Sequence, residues 1–200
     1  MSDLQKTKLG LQMATDPRWV NIAEMNIEEI LSDHAWCEQK AATTCISLIV
    51  KYAYYENIVE EISPIVAEEW GHFRRVQKEL KKRGMKLLPP RKDEYVNQLM
   101  QLEKRGLKPE QVAVEKLLIS AMIEARSCER FRLLSLHISD DYLKEFYREF
   151  MESEAGHYHT FIHLAKSVIP GDYVQNRWNE YLIAEAEIMK NLELRGDRMH

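Results

Sequence analysis

Apolar residues recur at every third or fourth position along most of this 200-residue chain, with polar and charged residues between them. This periodicity is typical of amphipathic helices that bury one face in a core. No stretch alternates apolar and polar residues over the length of a half-buried strand. The pattern therefore predicts an all-α protein with four long helices, at about residues 33–54, 64–83, 109–137 and 140–168.

Local capping signals and helix breakers predict where these helices begin and end. N-cap side chains, a proline in the first turn and a glycine after the last turn are the usual markers. They occur here as Ser32-Asp33, Ser63-Pro64, Gly84, Lys108-Pro109 and Ser139-Asp140-Asp141. The turns within each helix pair are short, so each pair is predicted to be antiparallel, and the longer segment 84–108 connects the pairs.

Shorter elements are predicted outside the four long helices. Residues 15–31 should hold one short helix, residues 93–104 another, and Asp172 should cap a C-terminal helix that ends near residue 193. The tail, residues 194–200, is predicted to be frayed. Because 200 residues suit one core, the whole chain is predicted to be a single domain, residues 1–200.

The chain contains the pattern Glu-x-x-His twice, at Glu69-Trp70-Gly71-His72 and at Glu154-Ala155-Gly156-His157. Residues three positions apart lie on the same face of a helix. Each motif also has an upstream glutamate in register, because Glu38 lies 31 residues before Glu69 and Glu124 lies 30 residues before Glu154. The chain therefore contains one helix pair, approximately repeated, with Glu on its first helix and Glu-x-x-His on its second.

All six of these residues fall within apolar stripes, where a buried carboxylate is costly unless it is compensated. Four glutamates and two histidines from four helices form the two-metal centre of ferritin-like bundles. Carboxylate and imidazole ligands suit iron or manganese, and no thiolate belongs to the set. A polar network without metal is the alternative interpretation. Glu129 is the alternative to Glu124, although its shorter spacing to Glu154 breaks the repeat.

Charge and composition limit the other classes of function. The net charge of −4 argues against non-specific binding of nucleic acid by the whole surface, but a local basic cluster follows the first Glu-x-x-His motif. No apolar run is long enough to span a bilayer, and residues 1–10 lack the apolar core of a signal peptide. The three cysteines form no Cys-x-x-Cys motif, so reduced thiols and a cytoplasmic location are expected.

Beyond the ligand motifs, longer stretches of this sequence resemble one bacterial enzyme family, the MiaE tRNA hydroxylases. The resemblance extends from about Asp16 to Leu194, with no departure at the ligand positions. It implies a ferritin-like four-helix bundle with added N-terminal, crossover and C-terminal helices. The stretches that carry the resemblance are residues 33–42, 68–73, 123–131 and 152–158.

The resemblance implies a non-haem di-iron monooxygenase that hydroxylates the isopentenyl group of 2-methylthio-N6-isopentenyladenosine in tRNA. Its cofactor would be two iron ions, and it would use dioxygen and an external electron donor. The positive side chains expected to contact tRNA are Lys78, Lys81, Lys82, Arg83, Lys86, Arg126, Arg130 and Arg132. The alternatives are a ferritin-like di-iron peroxidase or oxidase and a hydroxylase of a small lipid-like molecule.

Overall fold

The computed structural model describes residues 9–199, which form seven helices and no strand. The predicted all-α architecture is therefore present in this part of the chain. In chain order the helices are α1 (Arg18–Glu24), α2 (Ile27–Lys51), α3 (Glu56–Lys82), α4 (Glu94–Met100), α5 (Pro109–His137), α6 (Asp141–Val168) and α7 (Asp172–Asn191).

The chain divides into two compact units. The first unit contains residues 18–92 and 195–199, and the second contains residues 9–17 and 93–194. In the first unit α2 packs along α3. Their shared core consists of aliphatic and small side chains with almost no solvent exposure, among them Ile30, Leu31, Ala35, Ile58, Ile62 and Val76.

Helix α2 begins one and a half turns before the predicted start. Ser32 and Asp33 are buried inside the helix and do not cap it. The actual first turn contains Glu28 and Glu29, whose negative charges are favourable at a helix N-terminus. The hydroxyl of Ser32 accepts a hydrogen bond from the Leu88 N–H at 3.1 Å. Asp33 accepts a hydrogen bond from the Met199 N–H at 2.8 Å, so both polar side chains that suggested a cap bind distant parts of the chain.

Helix α3 also begins earlier than predicted, at Glu56, so Pro64 lies inside the helix. A proline in a helix interior costs about 3 kcal/mol because it lacks an N–H and crowds the preceding turn. Ile58 and Ile62, in the turns before Pro64, have no solvent exposure. Burial of two such side chains contributes about 1.5–3 kcal/mol each, which offsets the cost of the proline.

The predicted frayed tail is wrong for residues 195–199, which pack on the first unit. Met199 is buried, and its backbone N–H donates to Asp33 Oδ2 at 2.8 Å. A Cβ at Gly196 would lie 2.5 Å from the carbonyl oxygen of Ile22, so only glycine allows this close approach. Asp197 accepts a hydrogen bond from Arg91 at 2.7 Å. The tail is anchored by contacts that no local sequence signal predicts.

In the second unit α5 packs along α6, and α7 contacts α4 and α5. The predicted start of α6 is confirmed, because the side chain of Asp140 accepts a hydrogen bond from the Leu143 N–H at 3.0 Å. Helix α7 begins at Asp172, after Gly171, whose φ of 92° favours glycine. Among residues 9–199, no helix has the length and hydropathy needed to cross a bilayer.

Candidate metal centre

The first unit brings together three of the predicted ligands, which we call the first half-site: Glu38 from α2, and Glu69 and His72 from α3. The Nδ1 atom of His72 lies 3.3 Å from Glu38 Oε2 and 3.9 Å from Glu69 Oε2. One ligand atom from each residue lies within 4.8 Å of the others. All three side chains are buried, so α2 and α3 hold a compact set of oxygen and nitrogen donors away from bulk water.

His34 stabilises this half-site from one helical turn before Glu38. It is fully buried, and its Nε2 atom lies 2.7 Å from Glu38 Oε1. The other carboxylate oxygen of Glu38 faces His72. Because two imidazoles hold the two oxygens of one carboxylate, the rotamer of Glu38 is restrained. The sequence signal for this contact is the four-residue spacing between His34 and Glu38, which places both side chains on one face of α2.

The second unit contains the matching second half-site, formed by Glu124 from α5 and by Glu154 and His157 from α6. The Nδ1 atom of His157 lies 3.4 Å from Glu154 Oε2. One ligand atom from each of the three residues again lies within 4.8 Å of the others, and all three are buried. The repeat detected in the sequence is therefore a repeat of three-dimensional geometry.

Ser153 is a contact of the second half-site that the ligand pattern does not predict. Its hydroxyl lies 3.4 Å from His157 Nε2, the ring nitrogen that does not face Glu154. Tyr158 is half-buried against Trp178, and burial raises the pKa of its hydroxyl. Four further polar side chains lie near the ligands in the sequence. Ser120 and Ser127 are buried, whereas His159 and His163 are exposed.

The donor atoms of both half-sites are of the kinds that bind a metal ion. Each offers two carboxylates and one imidazole, the combination that suits iron or manganese. Three such groups buried within 4.8 Å of one another are costly when they are not compensated, and a bound cation offsets the charge of the carboxylates. The arrangement in each unit is compatible with a metal site.

Glu129, the alternative ligand, belongs to a separate buried ion-pair network. Its Oε2 atom accepts a hydrogen bond from Arg126 at 2.8 Å, and its Oε1 atom accepts the Thr15 N–H at 2.7 Å. Arg126 also donates to Glu185 at 2.6 Å. Burial lowers the pKa of Arg126, but the negative charges around it, first that of Glu185, raise the pKa overall. The structure therefore groups Glu124, and not Glu129, with Glu154 and His157.

Cys128 is buried beside the second half-site, and its Sγ atom donates to the Met151 carbonyl oxygen at 3.4 Å. Burial, followed by the negative charges of Glu154 and Glu129, raises the pKa of this thiol to about 12. Cys128 does not belong to either group of ligand atoms that lie within 4.8 Å of one another.

The basic residues predicted to contact tRNA fall into two groups. Lys78, Lys81, Lys82, Lys86 and Arg132 are exposed, and Arg83 is partly exposed while donating to Glu79 at 2.6 Å. Arg126 and Arg130 are buried in the second unit, with exposures of 0% and 5%. A phosphate cannot reach a guanidinium that is enclosed by protein, so the prediction of tRNA contact by Arg126 and Arg130 is wrong.

Comparison with known proteins gives matches in both sequence and structure. The family MiaE, described as tRNA-(MS[2]IO[6]A)-hydroxylase, matches residues 3–200. The chain is 37% identical to tRNA 2-(methylsulfanyl)-N(6)-isopentenyladenosine(37) hydroxylase of Pseudomonas putida, over 82% of this chain and 79% of the relative. The hydroxylase of the same description from Salmonella typhimurium is 26% identical, over 81% of this chain and 77% of the relative.

A solved structure of similar fold comes from a protein with a different activity. Protein 43 from Synechococcus, with aldehyde deformylating oxygenase activity, matches with a TM-score of 0.87 and 32% identity. The match covers 94% of this chain and 93% of that one. This likeness confirms the predicted fold class, an all-α ferritin-like bundle with additional helices.

Proposed function

Because this chain belongs to the MiaE family of tRNA hydroxylases, we propose that it hydroxylates the isopentenyl group of 2-methylthio-N6-isopentenyladenosine in tRNA. The observation that carries the proposal is the match of this family over residues 3–200, together with two buried Glu-x-x-His half-sites in one chain. In the reaction one oxygen atom of dioxygen is inserted into a C–H bond. The other atom leaves as water, with two protons and two electrons from an external donor.

We propose two iron ions as the cofactor and the residues of the two half-sites as their ligands. The ligands would be Glu38, Glu69 and His72 from the first unit, and Glu124, Glu154 and His157 from the second. Such a centre supplies the activation of dioxygen, chemistry that amino acid side chains do not perform. Both halves are needed under this proposal, and the protein acts as one functional domain.

The side chains of this protein orient the ligands and limit the access of water. His34 holds one oxygen of Glu38, and Ser153 lies next to the outer nitrogen of His157. Hydrogen bonds of this kind fix the rotamer of a ligand and adjust its basicity. The apolar residues adjacent to the ligands, among them Phe73, Val76, Phe150 and Phe161, are also buried. An apolar lining suits the isopentenyl group of the substrate and keeps side reactions with water low.

The proposal is tested by incubating the iron-loaded protein with tRNA that contains the isopentenylated nucleoside, a chemical reductant and isotopically labelled dioxygen. The tRNA is then digested, and its nucleosides are analysed by mass spectrometry. We expect a nucleoside heavier by one labelled oxygen atom on the isopentenyl chain. A His157→Ala variant is the control. Unmodified tRNA after incubation with fully iron-loaded wild-type protein would refute the proposal.

Aldehyde deformylation is a second candidate function, favoured by the TM-score of 0.87 and the 32% identity with the Synechococcus oxygenase. It uses the same proposed centre, with an aldehyde in place of the tRNA nucleoside. Release of formate from an aliphatic aldehyde, with no change in tRNA nucleosides, would support this function against the first. Hydroxylated nucleoside with no formate would support the first.

A further inference from the structure

The first Glu-x-x-His motif contains a tryptophan that the core does not bury. Trp70 follows the proposed ligand Glu69 on α3, and 49% of its surface is exposed. The other tryptophan residues of the chain, Trp19, Trp36 and Trp178, are buried or partly buried. Tryptophan is enriched at binding interfaces, because its ring combines a large apolar area with a polar N–H group.

Neighbouring rings hold Trp70 in place. The ring centroid of Trp70 lies 5.0 Å from that of Phe73, and the Phe73 centroid lies 5.9 Å from that of Trp36. The indole nitrogen of Trp36 donates to the Leu88 carbonyl oxygen at 2.7 Å. Trp70 is therefore supported from within the first unit. A ligand that stacks on it meets a ring that has already lost much of its rotational freedom, which lowers the entropic cost of binding.

The helix surface beyond Trp70 is strongly positive. We call the exposed cations between residues 70 and 82 the basic face of α3; they are Arg74, Arg75, Lys78, Lys81 and Lys82. Within residues 70–82 the only acidic side chain is Glu79, which is buried with 3% exposure. The chain as a whole carries a net charge of −4, so this positive charge is a local feature of α3.

Trp70 and part of the basic face share one stripe of the helix. Arg74, Lys78 and Lys81 follow Trp70 at four, eight and eleven residues, spacings that return to the same side of a helix. They extend over roughly 16 Å along the helix axis at a rise of 1.5 Å per residue. An aromatic ring followed by a row of cations is the arrangement that binds a single-stranded nucleic acid, with bases stacked and phosphates neutralised.

Gly71 leaves open space beside this stripe. It lies in the interior of α3, where glycine is less favourable than alanine. Among residues 9–199, an added Cβ at this position would meet no atom within 4 Å. Packing within the described chain therefore does not require glycine, and its small size keeps the helix surface next to Trp70 accessible.

We propose that Trp70 is a stacking platform for an unpaired base of the substrate tRNA loop, and that Arg74, Lys78 and Lys81 bind the phosphates that follow it. This inference rests on the proposed function, because it assumes a tRNA substrate. Loop bases are the part of an RNA that can splay out and stack on aromatic side chains. Trp70 follows Glu69 directly on α3, so the bound loop would lie on the helix that carries two residues of the first half-site.

The first experiment measures binding of the full-length, iron-loaded protein to a fluorescently labelled stem–loop RNA whose loop carries the isopentenylated adenosine. Loss of one base–aromatic stack weakens binding by about 5- to 150-fold, so Trp70→Ala is expected to raise Kd by that factor. Trp70→Phe retains a ring and should bind within a few-fold of the wild type. Tyr142→Ala, which removes a 50% exposed aromatic side chain from α6, is the matched control and should bind like the wild type.

Salt dependence separates stacking from phosphate binding. Each phosphate contact contributes about 0.7 to the slope of log Kd against log salt concentration for a single strand. Lys78→Ala should therefore lower the slope by about 0.7, whereas Trp70→Ala should leave it unchanged while raising Kd at every salt concentration. Lys190→Ala on α7, where the side chain is 66% exposed, should change neither quantity.

The outcomes distinguish this inference from the proposed function. Wild-type protein that hydroxylates tRNA, with a Trp70→Ala variant of unchanged iron content and unchanged RNA affinity, would overturn the platform and leave the function intact. If that variant binds RNA normally but accepts electrons more slowly from a protein donor, Trp70 docks a protein and the inference is also wrong. Wild-type protein that neither binds nor modifies tRNA would overturn both.

Discussion

The two helix pairs carry the same ligand pattern in different surroundings. The helices that carry the upstream glutamates differ in burial, because 10 of the 25 residues of α2 are buried and 19 of the 29 residues of α5 are buried. Helix α3 presents Trp70 and the basic face to solvent, while the arginines at the centre of α5, Arg126 and Arg130, are enclosed. An identical ligand motif therefore does not imply identical roles for the residues around it.

Ion pairs show the same contrast. In the second unit Arg126 binds Glu185 at 2.6 Å, and Arg177 binds Glu115 at 2.6 Å, with all four side chains nearly or fully buried. In the first unit Arg91 binds Asp197 at 2.7 Å, with about a third of the Arg91 side chain exposed. These two ion pairs of the second unit are therefore withdrawn from solvent, whereas the Arg91 pair of the first unit is partly exposed.

The largest expected effect is the loss of hydroxylation when a half-site loses its histidine, and it tests whether the two half-sites are equivalent. His72→Ala and His157→Ala should each abolish detectable hydroxylation and lower the iron content, because each removes the only imidazole of its half-site. Iron per chain and labelled nucleoside are measured for both variants, with His163→Ala as an exposed control on α6. Full iron content and activity in either variant would show that its half-site is not part of the centre.

The next largest effect is the loss of stability when an ion pair is broken, which we expect to differ between the two units. Arg126→Met and Arg177→Met should each lower the free energy of unfolding by about 3–5 kcal/mol, because each leaves a buried carboxylate without its partner. Arg91→Met in the first unit should lower it by only about 0–1 kcal/mol, because that pair is partly exposed. Urea denaturation measures all three. Equal losses of unfolding free energy in Arg91→Met and Arg126→Met would show that the ion pairs of the two units contribute equally to stability.

A smaller effect concerns the residues that orient the ligands. His34→Ala should weaken iron binding by about 10- to 100-fold, because Glu38 loses the 2.7 Å contact that holds one of its oxygens. Ser153→Ala should have a weaker effect, since its contact with His157 is 3.4 Å long. Competition with a chelator gives both affinities. An unchanged affinity in His34→Ala would show that His34 only fills the core.

The smallest effect concerns the tail and its dependence on pH. The hydrogen bond from Arg195 lowers the pKa of Asp197 to about 2 against the opposing effect of burial, and the charges of Arg198 and Arg91 add to it. A carboxyl with a lowered pKa stabilises the folded state above its usual pKa and loses that contribution as pH falls. The tail should therefore loosen between about pH 4 and pH 2.

Hydrogen exchange of the Met199 amide, corrected for the intrinsic effect of pH, measures this loosening. Asp197→Asn should expose the same amide already at pH 7, at a cost of about 2 kcal/mol or less. Asp141→Asn, at a carboxylate that is 92% exposed, is the control and should leave exchange unchanged. Protection of the Met199 amide that is equal in Asp197→Asn and the wild type would contradict the role of Asp197.

Several sequence-based predictions failed where tertiary contacts override local signals. Ser32-Asp33 and Ser63-Pro64 have the composition of helix starts, yet both lie inside helices because neighbouring apolar residues are buried. The tail has no apolar periodicity, but Met199 is nevertheless buried. By contrast, Pro109 and Asp140 mark helix starts in sequence and in structure.

The sequence alone determined the helical class and, within each unit, the group of two carboxylates and one imidazole. The physical reason is local: residues three apart share a helix face, and the repeat aligned the upstream glutamates with the motifs. Tertiary structure decided which charges are buried. Arg126 is paired with Glu185, 59 positions away, and Asp33 with Met199, 166 positions away. Burial and pairing of this kind depend on chain segments that local patterns do not connect.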